Sequence, residues 1–206
     1  MSSLIANFML IGGIALLGAM SPGPDFLIVT KNALSYSRRA GLWTAFGVAL
    51  AILIHVTYCV VGLGVLIAET PFLYHLLQYL GASYLIYIGL QSFWSKPMTI
   101  QSERKTSKDL PAFQAFKNGF FTNALNPKAS LFFLSVFSQV IEPGTPYLIQ
   151  FLLGIEMALI GLIWFSCLAT VLSHPFLQAK VAKAQKTFDR ILGSTLIALG
   201  LKIAFI

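Results

Sequence analysis

Charged side chains inside apolar stretches are the residues of this chain best suited to do chemistry. Asp25, Lys128 and Glu156 each lie in a stretch that is otherwise long and apolar. An ionisable group at the centre of a bilayer costs about 2.5–3.5 kcal/mol on insertion scales, so such groups usually face a cavity or a pathway. A carboxylate and an ammonium that share one cavity can pair with the ammonium and the carboxylate of a zwitterion. Burial also favours the proton-carrying form of a carboxyl group.

We therefore predict that Asp25, Lys128 and Glu156 contact a substrate, and that Asp25 and Glu156 couple its movement to protons. Two other readings stay open. Lys128 could form a structural ion pair with Asp25 or Glu156, and removing one partner of such a buried pair typically costs about 3–5 kcal/mol. Asp25 could instead cap a helix near the membrane surface, if the first apolar span ends early.

Amide and imidazole side chains accompany these charges. Asn123 and Asn126 precede Lys128 and are predicted either to satisfy an interrupted backbone or to contact the substrate. His55 lies near the middle of the second apolar stretch. We predict that it forms an interhelical hydrogen bond, with a proton relay as the alternative. No spacing of His and Cys resembles a metal site, so no metal or other cofactor is predicted.

Prolines interrupt two of the apolar stretches. Pro22, Gly23 and Pro24 precede Asp25 in the first, and Pro127 precedes Lys128 in the fourth. Proline removes a backbone donor and clashes with the carbonyl four residues earlier, so these segments are predicted to break their helices. In hydrocarbon the freed carbonyls must face protein or a water-filled cavity. A simple helix kink is the alternative at each of the two sites.

The elements that carry these residues are predicted to be membrane-spanning helices. Hydrophobic residues make up 57% of the 206, and charged residues only 10%. Runs of 18 or more apolar residues are typical of transmembrane helices. The chain contains six such runs, at about 5–30, 41–67, 71–94, 115–140, 147–173 and 188–206. The fold class is therefore predicted to be an all-α polytopic membrane protein with six transmembrane helices.

The distribution of positive charge predicts an orientation. Twelve of the 14 Lys and Arg residues lie in or beside the first, third and fifth predicted loops. The positive-inside rule places these loops in the cytoplasm and both termini outside. The net charge of +7 is explained in this way, and it does not indicate a nucleic-acid partner.

The two halves of the chain are predicted to be inverted repeats. Repeat 1 covers about 1–94, a cytoplasmic linker about 95–114, and repeat 2 about 115–206, within one transmembrane domain of residues 1–206. At an offset of 105 residues, Ala19 aligns with Ala124 and Pro22 with Pro127. Three spans per repeat invert the second copy. Broken helices at matching positions, here helices 1 and 4, indicate the central site of a secondary transporter.

Three motifs resemble a known family, the LysE/RhtB amino-acid exporters: Ser21-Pro22-Gly23-Pro24-Asp25-Phe26, Ser37-Arg38-Arg39-Ala40-Gly41 and Asn123-Ala124-Leu125-Asn126-Pro127-Lys128-Ala129. The resemblance extends over essentially the whole chain. It implies a prokaryotic cytoplasmic-membrane protein that exports an amino acid, driven by the proton gradient. Asp25-Phe26, Glu156 and Phe188-Asp189-Arg190 look closer to the threonine and homoserine exporters than to the exporters of basic amino acids.

Taken together, the chain is predicted to be a transporter and not an enzyme, exporting a small or neutral amino acid such as threonine or homoserine with proton coupling. Its partners would be the amino acid, protons and the lipid bilayer, and a homodimer is compatible with so small a bundle. A passive channel or facilitator remains an alternative. A membrane-embedded enzyme is less favoured, because no nucleophile–base set is evident. The sequence contains no Gly-x-x-x-x-Gly-Lys-Ser/Thr motif, which argues against ATP-driven transport.

Overall fold

The computed structural model describes residues 2–94, 108–141, 144–172 and 175–204. Within these residues the regular elements are α-helices, eight in number. In chain order they are α1 (Ser2–Met20), α2 (Pro24–Ser35), α3 (Arg38–Glu69), α4 (Pro71–Phe93), α5 (Ala112–Ala124), α6 (Pro127–Val140), α7 (Tyr147–Leu172) and α8 (Pro175–Ala204). The all-helical fold class is confirmed for the described residues.

Two helices are long and apolar enough to cross a membrane by themselves. They are residues 38–63 of α3 and the whole of α7. The α1–α2 pair also passes this test, if its two helices are counted as one span bent by 58°. The other three predicted spans do not meet this criterion within the described residues, so the count of six spans and the inverted repeat stay predictions.

The first predicted break is confirmed. Helix α1 ends at Met20 and α2 begins at Pro24, with Gly23 as the N-cap residue. The Ser21 amide still bonds the Leu17 carbonyl at 3.1 Å, and the next helix starts with the Leu27 amide on the Gly23 carbonyl at 2.9 Å. Proline suits the first position of a helix, because its missing N–H would have no intrahelical acceptor there.

The second predicted break is confirmed as well. Helix α5 ends at Ala124, and α6 begins at Pro127. Asn126 is the N-cap of α6, and its Oδ1 accepts a hydrogen bond from the Lys128 amide at 3.0 Å. An Asn side chain at this position satisfies one of the amides that a helix start leaves open. The break is therefore built by Asn126 and Pro127 together.

Several predicted boundaries need correction. Helix α5 begins at Ala112, inside the predicted linker of 95–114, of which residues 95–107 lie outside the described part. Helix α8 begins at Pro175 and not near 188. Its first half is rich in Ala, Lys and Gln, which favour helix but not membrane burial, so a search for apolar runs misses it. Helices α4 and α7 match their predicted spans closely.

Small residues let the helices pack closely around the middle of the bundle. Helix α3 packs along α5 and α7, and α4 packs along α8. A Cβ atom added at Gly47 in α3 would overlap the Phe116 carbonyl of α5, and one at Gly119 in α5 would overlap the Thr44 carbonyl. The backbones of α3 and α5 therefore touch, as small residues permit at membrane helix interfaces. This contact fixes α5, and with it one of the two breaks.

Candidate functional site

A cavity of about 80 Å³ lies between the two helix breaks. Since one water molecule needs about 10–15 Å³ by this measure, the cavity can hold several waters or a small solute. The polar side chains of its lining come from the break segments: Ser21, Asp25, Asn123, Asn126 and Lys128. Its apolar wall comes from seven helices and includes Ala15, Phe26, Ile52, Ile88, Phe132, Phe133, Met157, Phe165, Leu192 and Leu196.

Asp25 reaches from the first break to the second. It lies in the first turn of α2, where the helix dipole favours a negative charge. Its Oδ2 accepts hydrogen bonds from Asn123 Nδ2 at 3.0 Å and from Asn126 Nδ2 at 3.2 Å. Its Oδ1 is buried and has no hydrogen-bond partner among the described residues. One carboxylate oxygen is thus held in place, and the other has unused hydrogen-bonding capacity.

Lys128 reaches in the opposite direction, from the second break to the first. Its Nζ donates to Ser21 Oγ at 3.0 Å and to the Pro22 carbonyl at 3.2 Å. These two bonds leave one of the three ammonium donors without an acceptor in the described part of the chain. A Cβ at Gly23 would lie 3.6 Å from the same nitrogen, an ordinary van der Waals contact, so Gly23 lies directly beside the ammonium.

Each break is therefore bound by a side chain of the other. Asp25 accepts amide donors from the α5–α6 break, and Lys128 caps a carbonyl of the α1–α2 break. The hydrogen bonds of Lys128 go to Ser21 and Pro22, so the alternative of a direct structural ion pair with Asp25 is not what the geometry shows. One cationic and one anionic group face the same cavity while each keeps hydrogen-bonding capacity.

Asn123 and Asn126 both hold the Asp25 carboxylate, and Asn126 also supports the broken backbone. Both are buried, at 2% and 4% exposure. Asn126 uses Oδ1 for the helix cap and Nδ2 for Asp25. Asn123 uses Nδ2 for Asp25, and its Oδ1 is buried without a hydrogen-bond partner among the described residues. The predicted support of the broken backbone is therefore seen for Asn126, and both residues line the cavity, while contact with a substrate stays a prediction.

Glu156 is not brought together with Asp25 and Lys128. The described lining of the cavity includes its neighbour Met157 but not Glu156. Successive residues of an α-helix point about 100° apart, since a turn takes about 3.6 residues. Glu156 faces α1 instead, where its Oε1 lies 2.9 Å from the position of a Cβ on Gly12. Its Oε2 is buried and has no partner within the described residues.

His55 forms the predicted interhelical hydrogen bond. Its Nε2 lies 3.1 Å from the Asn123 carbonyl of α5, and its Nδ1 lies 2.8 Å from the Tyr58 hydroxyl. The imidazole is only 1% exposed. It also stacks on the Phe133 ring of α6, with a centroid distance of 5.2 Å and an interplanar angle of 6°.

Ser21 and Asp189 were not predicted as site residues. Ser21 belongs to the same motif as Pro22, and its position before two prolines was the available signal. Asp189 in α8 is 3% exposed, and its negative charge acts on Lys128 together with that of Asp25. Asp189 shares a helix face with the cavity residues Leu192 and Leu196, which follow it by three and seven residues. The described residues contain no group of His, Cys, Asp and Glu that could hold a metal ion.

Comparisons with known proteins relate this chain to other membrane proteins. The chain is 32% identical over 197 residues to the uncharacterized membrane protein YrhP of Bacillus subtilis (strain 168), covering 92% of this chain and 94% of that protein. It is 25% identical over 193 residues to the uncharacterized membrane protein YahN of Escherichia coli (strain K12), covering 94% of this chain and 86% of YahN. It is 31% identical over 182 residues to the leucine efflux protein of Salmonella choleraesuis (strain SC-B67), covering 86% and 82%. No solved structure matches the chain significantly.

The family predicted from the Ser-Pro-Gly-Pro and Asn-Pro-Lys motifs is confirmed. A family model described as LysE type translocator matches residues 16–205, which include both helix breaks and the whole cavity lining apart from Ala15. The chain belongs to the LysE type translocators, a family of membrane transporters and not of enzymes.

Proposed function

We propose that this protein exports a neutral amino acid from the cytoplasm, and that the amino acid binds in the cavity between the two helix breaks. The observation that carries this proposal is the placement of one ammonium and one carboxylate at the same cavity, each with unused hydrogen-bonding capacity. An α-amino acid carries its ammonium and its carboxylate on the same carbon atom, so the two opposite charges lie close together. Lys128 would bind its carboxylate, and Asp25 Oδ1 would accept from its ammonium.

The start of α2 supports the carboxylate end of such a substrate. The first amides of a helix have no intrahelical acceptor, and they carry a partial positive charge. Those of Asp25 and Phe26 belong to this turn, next to Gly23 and the Lys128 ammonium. An anionic group bound there would meet backbone donors as well as a cation.

The apolar wall of the cavity limits the substrate side chain. Phe26, Phe132, Phe133, Met157 and Phe165 would bury an aliphatic group favourably and would not compensate a second charge. The sequence motifs favour threonine or homoserine, whereas this wall and the relative named leucine efflux protein favour a larger aliphatic side chain. We propose neutral aliphatic amino acids as the substrate class. A hydroxyl group is tolerated, because an apolar pocket rejects it only weakly.

Proton coupling is proposed through Asp25 and Glu156. Asp25 would exchange a proton when its hydrogen bonds to Asn123 and Asn126 break and form again. Glu156 offers a buried carboxylate oxygen at the α1–α7 contact, next to the helix that ends at the first break. Movement of α1 would therefore change the surroundings of Glu156, which is one physical route from proton binding to opening of the site.

The proposed setting is the prokaryotic cytoplasmic membrane, crossed six times with both termini outside. The cationic loops support this orientation. A single chain contributes both breaks to the cavity. The homodimer that the sequence left open is therefore not needed to complete the site.

Counterflow in proteoliposomes tests the proposal. Purified protein would be reconstituted with labelled leucine, threonine, homoserine, lysine or glutamate, with and without a pH gradient. We expect counterflow of the neutral amino acids and little counterflow of lysine and glutamate. Net transport into vesicles without internal substrate should be stimulated by the gradient. Counterflow that is equal for all five amino acids, or net transport that is independent of the gradient, would favour a passive facilitator.

A further inference from the structure

His55 touches both halves of the helix that is broken at Asn126 and Pro127. Its Nε2 contacts the Asn123 carbonyl at the end of α5, and its ring stacks on Phe133 in the second turn of α6. The residue itself belongs to neither helix, because it lies in the middle of α3. A single imidazole therefore bridges the break from outside.

The contacts determine which ring nitrogen carries the proton. A carbonyl oxygen can only accept, so the bond to Asn123 requires a hydrogen on Nε2. If the ring is neutral, Nδ1 accepts from the Tyr58 hydroxyl at 2.8 Å, a shorter contact than the 3.4 Å between that hydroxyl and the Ser130 carbonyl. The Asn123 carbonyl is in the last turn of α5, where helix carbonyls lack an intrahelical donor. Besides His55, it accepts from the Asn126 amide at 2.9 Å.

The same Asn123 residue holds the carboxylate of the site. Its backbone oxygen is bound by His55, and its side-chain Nδ2 donates to Asp25 Oδ2 at 3.0 Å. A continuous chain of hydrogen bonds therefore runs from Tyr58 through His55 and Asn123 to Asp25. Of these four residues, only Asn123 and Asp25 line the cavity.

We propose that His55 is a positioning residue for transport: its Nε2–H fixes the end of α5, so that Asn123 holds Asp25 in the orientation that receives the substrate ammonium. The proposal rests on the function proposed above. It differs from a packing role, because it depends on one donor at one position and not on the volume of the ring.

The matched pair of variants His55→Gln and His55→Asn tests this dependence. The amide nitrogen of Gln can take the place of Nε2, whereas the shorter Asn places its amide near Nδ1. We expect His55→Gln to keep the KM of amino-acid counterflow within about threefold of the wild type. Losing one such hydrogen bond should raise KM by about three- to tenfold in His55→Asn. Equal KM values for the two variants, with equal losses of thermal stability, would overturn the proposal in favour of packing.

The Asn123→Ala background separates positioning from other effects. Without its amide, Asn123 cannot hold Asp25, so adding His55→Asn should change KM by less than about twofold. If the fold-changes in KM of the two substitutions multiply in the double variant, His55 does not act through Asn123 and the proposal is wrong.

A chemical readout keeps this inference distinct from the proposed function. A hydrophobic carbodiimide modifies buried carboxyl groups in membranes, and mass spectrometry can measure its rate at Asp25 whether or not any amino acid is carried. We expect faster labelling of Asp25 in His55→Asn than in the wild type and His55→Gln. Absence of amino-acid flux in the wild type would reject the function alone. Identical labelling rates in all three proteins would reject the role of His55.

Discussion

At the scale of single residues, the site consists of two helix breaks that are joined by hydrogen bonds from their charged side chains. Asp25 and Lys128 each lie at one break and form hydrogen bonds with the other, so neither charged group is buried without a hydrogen-bond partner. Both retain hydrogen-bonding capacity that a zwitterion can use. Because a bound zwitterion would use the same two side chains that join the breaks, we expect substrate binding to affect the arrangement of the breaks.

Replacing Lys128 tests the cationic half of the site. Lys128→Met keeps most of the side-chain length but removes the ammonium, so the substrate carboxylate loses its partner. We expect at least a tenfold rise in KM, since hydrogen bonds to charged groups contribute about 1.5–3 kcal/mol. Lys117→Met makes the same change outside the cavity, where the ammonium lies 5.0 Å from the Phe113 ring centre, and should leave KM unchanged. A normal KM in Lys128→Met would contradict the assigned role.

Glu156 is expected to serve coupling and not substrate binding. Glu156→Gln keeps the shape of the side chain and removes its titratable proton. Export driven by a pH gradient should be lost, while exchange of labelled for unlabelled substrate, which needs no net proton movement, should continue. The exposed Asp109, which accepts a hydrogen bond from Ser37, provides the control Asp109→Asn. Full gradient-driven export by Glu156→Gln would reject the coupling role.

At the scale of elements, the sequence predicts the positions of the helix breaks well, but it does not predict which side of a helix faces the cavity. The effects of Pro22, Pro24 and Pro127 are local, since each acts on backbone groups within one turn. Both breaks therefore appear where the sequence places them. Helix α7 is apolar on all sides, so no periodicity indicates that Met157 faces the cavity and Glu156 faces Gly12. Such facing is determined by the packing of neighbouring helices.

The contact between α3 and α5 should be sensitive to a single methyl group. In Gly47→Ala, the new Cβ would meet the Phe116 carbonyl, which is backbone and cannot move aside. We expect a loss of at least about 1–3 kcal/mol of stability, the usual cost of overpacking. Gly62→Ala in the same helix has nothing within 4 Å of its Cβ and is the control. Melting temperatures in detergent should fall for Gly47→Ala alone, and an equal response of both variants would contradict the close backbone contact.

At the scale of the whole molecule, the charges of the loops support six spans more strongly than the lengths of the helices do. The cationic loops alternate along the chain as six spans require, but three of the predicted spans do not reach the length and apolar composition of a regular crossing within the described residues. Broken helices explain part of this difference, because each half of a broken span is too short by itself. Only the fold can show that the halves of a span belong together.

Cysteine labelling tests the orientation of the molecule in its membrane. The exposed Cys167 would first be replaced by Ser, and the buried Cys59 left in place. A cysteine introduced at Arg39 should react with a membrane-impermeant reagent only after cells are opened, because the first loop is predicted to be cytoplasmic. One introduced at the exposed Tyr147 should react in intact cells. The reverse pattern would invert the proposed topology and, with it, the positions of both termini.

The most direct test of the central claim is competition by substrate analogues that carry one charge each. Counterflow of labelled leucine would be measured against unlabelled leucine, isoamylamine, which lacks the carboxylate, and 4-methylpentanoate, which lacks the ammonium. A site that pairs Lys128 with a carboxylate and Asp25 with an ammonium predicts that leucine competes at least about tenfold better than either analogue. It also predicts that Lys128→Met reduces the advantage of leucine over isoamylamine, and that Asp25→Asn reduces its advantage over 4-methylpentanoate. Equal competition by all three compounds in the wild type would show that the two charges at the helix breaks do not recognise a zwitterion.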